Sequence, residues 1–308
     1  MKPNIKAWLK AFRIRTLPLS LSCIAMGSFV AYFHFSFNWI IFILSFSTTI
    51  FLQILSNLAN DYGDSIYGAD NAMRQGPQRA TQSGIISQSS MKRMIWVFAG
   101  LSFVSGLFLL FFSKLSLTVF IVFLILGIIA IAASINYTIS VKKPYGYKGL
   151  GDLSVYLFFG LLAVYGAYFL QIGYLDLKLF LLASTCGFFA TGVLNINNIR
   201  DMESDRIAGK NSIPLRIGVK NAVIYHGVLL FGGFLLTTVW VILNFYSSYQ
   251  FLYLLTFPLF LRNFQAVLTI GSSALLDSYL KQLSISILLF VLFFGAGIVI
   301  VLYQIQHF

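Results

Sequence analysis

The stretch SLTVFIVFLILGIIAIAASINY, residues 116–137, runs for 22 residues without one charged side chain. Wound as an α-helix it extends about 33 Å, enough to cross a hydrocarbon core of about 30 Å. A spanning segment must satisfy its own backbone hydrogen bonds, and the stretch shows no apolar–polar alternation that would suit a barrel strand. Eight further apolar runs of similar length flank it, at about 16–35, 38–58, 94–113, 153–172, 177–197, 221–243, 250–271 and 284–304. The expectation is a single all-α domain over residues 1–308, a polytopic membrane protein built as a bundle of nine transmembrane helices. The basic start resembles a cleaved signal, but its apolar run is long and closes on no small-x-small site, so a retained first helix is expected.

Composition agrees. Of 308 residues, 58% are hydrophobic and 10% charged, and mean hydropathy is +0.85. A soluble domain needs about 25% charged residues to solvate its surface, so this chain is solvated by lipid. The net charge of +12 suggests nucleic acid only until the basic residues are located. They sit in short loops between apolar runs, which excludes a nucleic-acid-binding face. Cys23 and Cys186 both fall inside apolar runs and form neither a disulfide framework nor a metal site.

The placement of Lys and Arg orients the chain. Eighteen lie on one side: the segment before the first run, the even-to-odd loops that follow runs two, four and six, and Lys281 after run eight. Lys114 and Lys178 lie on the other side, and Arg262 lies within a run. By the positive-inside rule the amino terminus is expected in the cytoplasm and the carboxyl terminus outside, in the inner membrane of a cell.

Six of the nine acidic residues gather in two windows. One runs Asn57-Leu-Ala-Asn60-Asp61-Tyr-Gly-Asp64 to Asp70, the other Asn195-Ile-Asn197-Asn198-Ile-Arg200-Asp201-Met-Glu203-Ser-Asp205-Arg206. Each ends an even-numbered run, so both lie on the cytoplasmic face, and their separation by four helices suggests a duplicated unit. If each helix continues through its window, Asp61 with Asp64, and Asp201 with Asp205, stand one turn apart on one face. Two such faces at the bundle mouth offer hard oxygen donors for Mg²⁺. Asn60, Asp61, Asp64, Asp201 and Asp205 are the candidate metal ligands, with Asp64, Asp201 and Asp205 catalytic. Arg74, Arg79, Lys143, Arg200 and Lys210 are the candidate partners for phosphate charge.

These two windows resemble the signatures of the UbiA-type intramembrane prenyltransferases, an Asn-Asp-x-x-Asp motif and a later Asp-x-x-x-Asp motif. Asp70 stands six residues after Asp64, where the commonest pattern of that family has four. Three stretches are similar to the branch that prenylates 1,4-dihydroxy-2-naphthoate in menaquinone biosynthesis: Asn57–Gly84, Lys143–Asp152 and Leu194–Gly218. The resemblance implies a nine-helix bundle that uses Mg²⁺ to bind a polyprenyl diphosphate. It implies transfer of the prenyl group to 1,4-dihydroxy-2-naphthoate, giving demethylmenaquinone, diphosphate and carbon dioxide. No protein partner is called for. The alternatives are another aromatic acceptor such as 4-hydroxybenzoate or homogentisate, a haem-directed prenyltransferase or, outside this class, a secondary transporter.

The acceptor is expected to meet Arg262, Asn198 and Tyr145. An arginine inside an apolar run is costly unless it faces a wet cavity or snorkels to the headgroups, and Pro258 nearby could kink the helix to open such a cavity. In the loop ending at Asp152, Lys142 and Lys143 serve as membrane anchors, or Tyr145 and Tyr147 cover the diphosphate or the ring; the residues permit both.

Overall fold

The computed structural model describes residues 5–68, 73–140, 144–271 and 273–307; Asp70, Lys142 and Lys143 lie outside the described residues. Among those described, nine helices are long and apolar enough to span a membrane. They are α1 (Ile5–Phe33), α2 (Trp39–Ile66), α3 (Gln88–Phe112), α4 (Leu117–Asn136), α5 (Gly151–Ile172), α6 (Leu179–Arg200), α7 (Ile213–Leu243), α8 (Ser248–Ile270) and α9 (Leu276–His307).

The helix ends follow local chemistry. Asn38 caps α2, its side chain accepting from the amides of Ile40 and Ile41 at 2.8 and 3.3 Å, which satisfies two amides left over by the first turn. From there α2 runs unbroken to Ile66, eight residues beyond the expected end, and so carries Asn57 through Asp64 of the first acidic window inside a helix. α1 also starts earlier than its apolar run. An amphipathic turn, Ile5–Phe12, precedes Arg13, which takes the left-handed conformation (φ 49°, ψ 55°) before Leu17–Phe33 begins with Pro18 in its first turn.

The second acidic window differs from expectation. α6 stops at Arg200, Asp201 is non-helical (φ −97°, ψ 16°), and a short helix, Met202–Ile207, follows. The pair Asp201/Asp205 is nonetheless one turn apart, because the Asp205 amide donates to the Asp201 carbonyl at 2.9 Å. Pro258 does not kink a continuous helix either. It opens the α-helical part of α8, Phe257–Ile270, after a 3₁₀ stretch over Ser248–Thr256, a position where its missing amide costs nothing.

Burial separates the inner helices from the outer ones: α6 has 72% of its spanning window buried, α4 only 6%. α6 is therefore the central post and α4 a lipid-facing wall. Around α6 the rings interlock, with Phe189 at 4.8 Å from Phe260 and 5.0 Å from Phe290. Close backbone approach supplements this. A Cβ on Gly160 of α5 would come within 2.7 Å of the Ala183 carbonyl and 2.8 Å of Gly187 Cα. Small residues permit such packing where lipid supplies no hydrophobic drive between helices. Gly160 lies in a π-helical turn, Tyr156–Leu162, in the part of α5 that passes the cavities described next. Cys23 and Cys186 are free and buried.

Candidate functional site

The end of α2, the loop 73–86, the start of α5 and the end of α6 enclose a polar cavity of about 210 Å³. Among the described residues its wall carries four carboxylates, Asp64, Asp152, Asp201 and Asp205, and six cations, Arg13, Arg15, Arg74, Arg79, Lys210 and Lys281. A second, mostly apolar cavity of about 370 Å³ lies between α2, α3, α4 and α5. Gln53, Asn60, Tyr137, Val155, Phe159 and Leu194 line both, so the two meet there. The apolar cavity follows α2 from Asn60 back to Ser45, fifteen residues or about 22 Å of helix.

The two acidic windows converge on one ammonium. Lys210 Nζ lies 3.0 Å from Asp205 and 3.5 Å from Asp64, and 5.0 Å above the Tyr147 ring. Asp64 also receives Arg79 at 2.5 Å and the Tyr147 hydroxyl at 2.7 Å. Burial lowers the affinity of Lys210 for its proton, but Asp64 and Asp205 outweigh it and hold the proton more tightly than usual. For Asp205 burial dominates and pushes the carboxyl up, against the pull of Lys210, with Asp201 and Asp64 adding to the rise.

Asp201 is arranged differently. Arg200 grips it through Nε and Nη2 at 3.1 and 2.5 Å, and the Gly76 amide donates to it at 3.1 Å. Burial would raise its carboxyl, but the Arg200 hydrogen bonds and charge, with Arg74 and Arg79, bring it below the ordinary value. Arg200 itself is 2% exposed and also binds Asp277 at 2.6 Å and Asn197 at 2.8 Å. Arg15 closes this chain, reaching Asp277 at 2.7 Å.

Three sequence expectations need correction. Asp61 does not share the cavity with Asp64. Its two oxygens accept the Ala80 and Thr81 amides at 3.3 and 3.2 Å, so it anchors the loop from beneath rather than offering metal ligands. Arg200 does not line the cavity; carboxylates already surround it, which leaves it a positioning role behind Asp201. Arg262 is exposed and lines neither cavity. Its neighbour Asn263 is the buried one, tied to His226 at 3.0 Å and Gln282 at 2.6 Å. On α8 the arginine thus faces outward, where a long side chain can snorkel.

The remaining candidates gather as expected. Asn60, Asp64, Arg74, Arg79, Asn198, Asp201, Asp205 and Lys210 line the polar cavity, and Tyr145 lines the apolar one. Asn60 accepts from Thr138 at 3.1 Å, and Tyr145 donates to the Ala133 carbonyl at 2.9 Å. Lys143 lies outside the described residues. Sequence reasoning gave no site role to Arg13, Tyr137, Asp152 or Asp277. Asp152 stood inside a quoted stretch, and its place as one of three acids outside the two windows was the available signal. For Arg13, reading it as a membrane anchor hid a buried Nη2 that meets no hydrogen-bond partner among the described residues.

Among the described residues no three His, Cys, Asp or Glu side chains form a closed metal cage. Mg²⁺ keeps waters and substrate phosphates and takes one or two carboxylates from a protein. Asp64 and Asp205, already sharing one cation, have the hard oxygen chemistry to hold such an ion between them.

Residues 20–270 match the UbiA prenyltransferase family. The chain is 41% identical to a 1,4-dihydroxy-2-naphthoate octaprenyltransferase of Escherichia coli over 93% of this chain and 94% of that one. Its fold is that of a UbiA homolog from Aeropyrum pernix, at TM-score 0.68 and 18% identity over 94% of this chain and 98% of that one. A UbiA homolog from Archaeoglobus fulgidus, solved bound to GPP and Mg²⁺, aligns at TM-score 0.61 and 17% identity over 95% and 99% of the respective chains. This chain belongs to the UbiA prenyltransferase family.

Proposed function

We propose that this protein transfers a polyprenyl group from a polyprenyl diphosphate to 1,4-dihydroxy-2-naphthoate, with loss of the acceptor's carboxylate as carbon dioxide. The observation that carries this reading is the junction of a charged cavity with a long apolar one. A prenyl diphosphate has the same two halves, and the C–O bond that breaks lies between them. The kinship to the E. coli enzyme supports the choice of acceptor.

Bound Mg²⁺, held by Asp64 and Asp205, would neutralise charge that builds on the leaving diphosphate. Arg79, Lys210, Arg74 and Arg13 line the same cavity and bind the phosphate oxygens, a fixed electrostatic environment that favours the ionised leaving group. Lys143 is assigned the same role from its sequence position. Asp201, expected from its sequence position to be a catalytic metal ligand, is instead given a positioning role: Arg200 grips it, and it holds the loop over the cavity through the Gly76 amide. Asn198, at the wall of the polar cavity, and Tyr145, in the apolar one, contact the acceptor ring. The electron-rich ring then attacks the allylic carbon, and no covalent enzyme intermediate is needed. Both electrons of the broken C–O bond stay with diphosphate, and those of the lost carboxylate stay in the ring. The immediate product is therefore the hydroquinone form, demethylmenaquinol, and not the quinone.

The test is turnover by the purified protein with Mg²⁺, a polyprenyl diphosphate and each of 1,4-dihydroxy-2-naphthoate, 4-hydroxybenzoate and homogentisate. Release of diphosphate and of labelled carbon dioxide from the naphthoate is expected, abolished by chelation and restored by Mg²⁺. Release with 4-hydroxybenzoate and none with the naphthoate would overturn the acceptor. The assigned side of the site is the cytoplasmic face of the inner membrane, with the amino terminus inside. A reporter fused after Phe308 should report from outside and one placed within 82–90 from the cytoplasm; a cytoplasmic signal from the former would reverse the orientation.

A further inference from the structure

Among the described residues four carboxylates line the polar cavity, and three of them face a cation. Asp64 meets Arg79 and Lys210, Asp205 meets Lys210, and Asp201 meets Arg200. Asp152 is the exception. Among the described residues it makes no ion pair; the Tyr225 hydroxyl of α7 donates to its Oδ2 at 3.1 Å. A carboxylate neutralised by a nearby cation is a poor proton acceptor, whereas one held by a neutral donor keeps its basicity.

Its position gives that basicity a use. Asp152 sits in the first turn of α5, and Val155 and Phe159 follow at three and seven residues, on the same helical face. Those two residues line both cavities, whereas Asp152 lines the polar one. The carboxylate therefore stands at the mouth of the junction where the allylic carbon must lie for its diphosphate to reach the cations and its tail the apolar cavity. Tyr137, which lines both cavities, stands close enough for the Asp152 charge to help hold its phenol protonated, after burial and Tyr145.

We infer that Asp152 is the general base of the transfer, taking the proton of an acceptor ring hydroxyl as the ring attacks. The inference rests on the prenyl-transfer reading above and names the residue that reading lacks. The allylic C–O bond breaks with its electron pair going to diphosphate. A ring electron pair forms the new C–C bond at the carbon bearing the carboxylate, and the hydroxyl proton passes to Asp152 as that oxygen becomes a ketone. The carboxylate then leaves as carbon dioxide and its bonding pair restores the aromatic ring. Asp152 returns the proton to the oxygen, so the hydroquinone is regenerated without an oxidant. Tyr225 fixes the orientation of the carboxylate throughout.

Asp152→Asn keeps the shape and removes the basicity. Turnover with saturating donor and acceptor should fall by about 100-fold, the lower end of the usual contribution of a positioned acid–base group. Mg²⁺-dependent binding of inorganic pyrophosphate should stay within about two-fold of wild type, which also reports an intact site. The wild-type rate should decline toward acid as Asp152 is protonated, and Asp152→Asn should lack that limb. The groups around it that could titrate or shift it are Tyr225 and Arg216 on α7 and Tyr137 after α4. Undiminished turnover, or an unchanged acid limb, overturns the assignment. Equal loss of pyrophosphate binding overturns it too, moving Asp152 into the diphosphate site. All three measurements are made with whichever aromatic acid the wild-type protein prenylates, so failure of the naphthoate as substrate is read separately from failure of Asp152.

Discussion

Replacing Asp64 by asparagine is expected to lower kcat by about 100-fold or more, the scale seen when one preorganised electrostatic contact to a transition state is lost. The amide occupies the same volume and can still accept from Tyr147, so the fold of α2 persists. What disappears is the charge that faces Arg79 at 2.5 Å and Lys210 at 3.5 Å, and with it a hard ligand for Mg²⁺. Asp61→Asn provides the contrast, since among the described residues Asp61 accepts only loop amides. It should lower the thermal midpoint of the purified protein while turnover stays within about ten-fold of wild type, the cost being a backbone hydrogen bond rather than a ligand. Both activities are measured at saturating Mg²⁺ on protein whose midpoint has been recorded. Near-normal turnover in Asp64→Asn would refute the assignment of Asp64 to the metal.

The second large effect is expected from Lys210→Met. Lys210 joins the first acidic window to the second, at 3.5 Å from Asp64 and 3.0 Å from Asp205. Because those carboxylates hold its proton more tightly than usual, the lysine is an ammonium throughout the neutral range. Methionine keeps the apolar stem over the Tyr147 ring and deletes the charge. Two buried carboxylates then repel each other without their shared partner, and the diphosphate loses one of its cations. The loss in kcat/KM should be about 10- to 100-fold and should fall on the prenyl diphosphate, with KM for the aromatic acid little changed. A defect confined to the aromatic acid would place Lys210 at the other substrate.

Much of this molecule was open to reading from its amino-acid order. Apolar runs of about twenty residues can only be solvated by lipid, and lipid leaves the backbone no partner but itself. That reasoning determined nine helices without any knowledge of their neighbours. Acidic residues are expensive near a bilayer, so six of nine in two windows marked a site, and Asp64, Asp205, Arg79 and Lys210 did meet in one cavity. The family resemblance followed from the same windows.

Side-chain direction was decided elsewhere. Helical spacing put Asp61 one turn from Asp64, but the loop 73–86 folds back onto α2 and offers its amides to Asp61, so that of this pair Asp64 alone lines the cavity. Arg200 lies within the second window in sequence, yet Asp277, 77 residues away, and Asp201 enclose it. Arg262 looked costly inside its run, but α8 turns it outward and buries Asn263 instead. Asp152 became a candidate base only because Tyr225 of α7 supplies it with a neutral partner while the other three cavity carboxylates face cations. Local sequence determines which segments are helices and what chemistry each carries, because those depend on solvation and on neighbours one turn away. Which oxygen faces a cation, an amide or the cavity depends on contacts between helices far apart in the chain, and only the tertiary structure decides those.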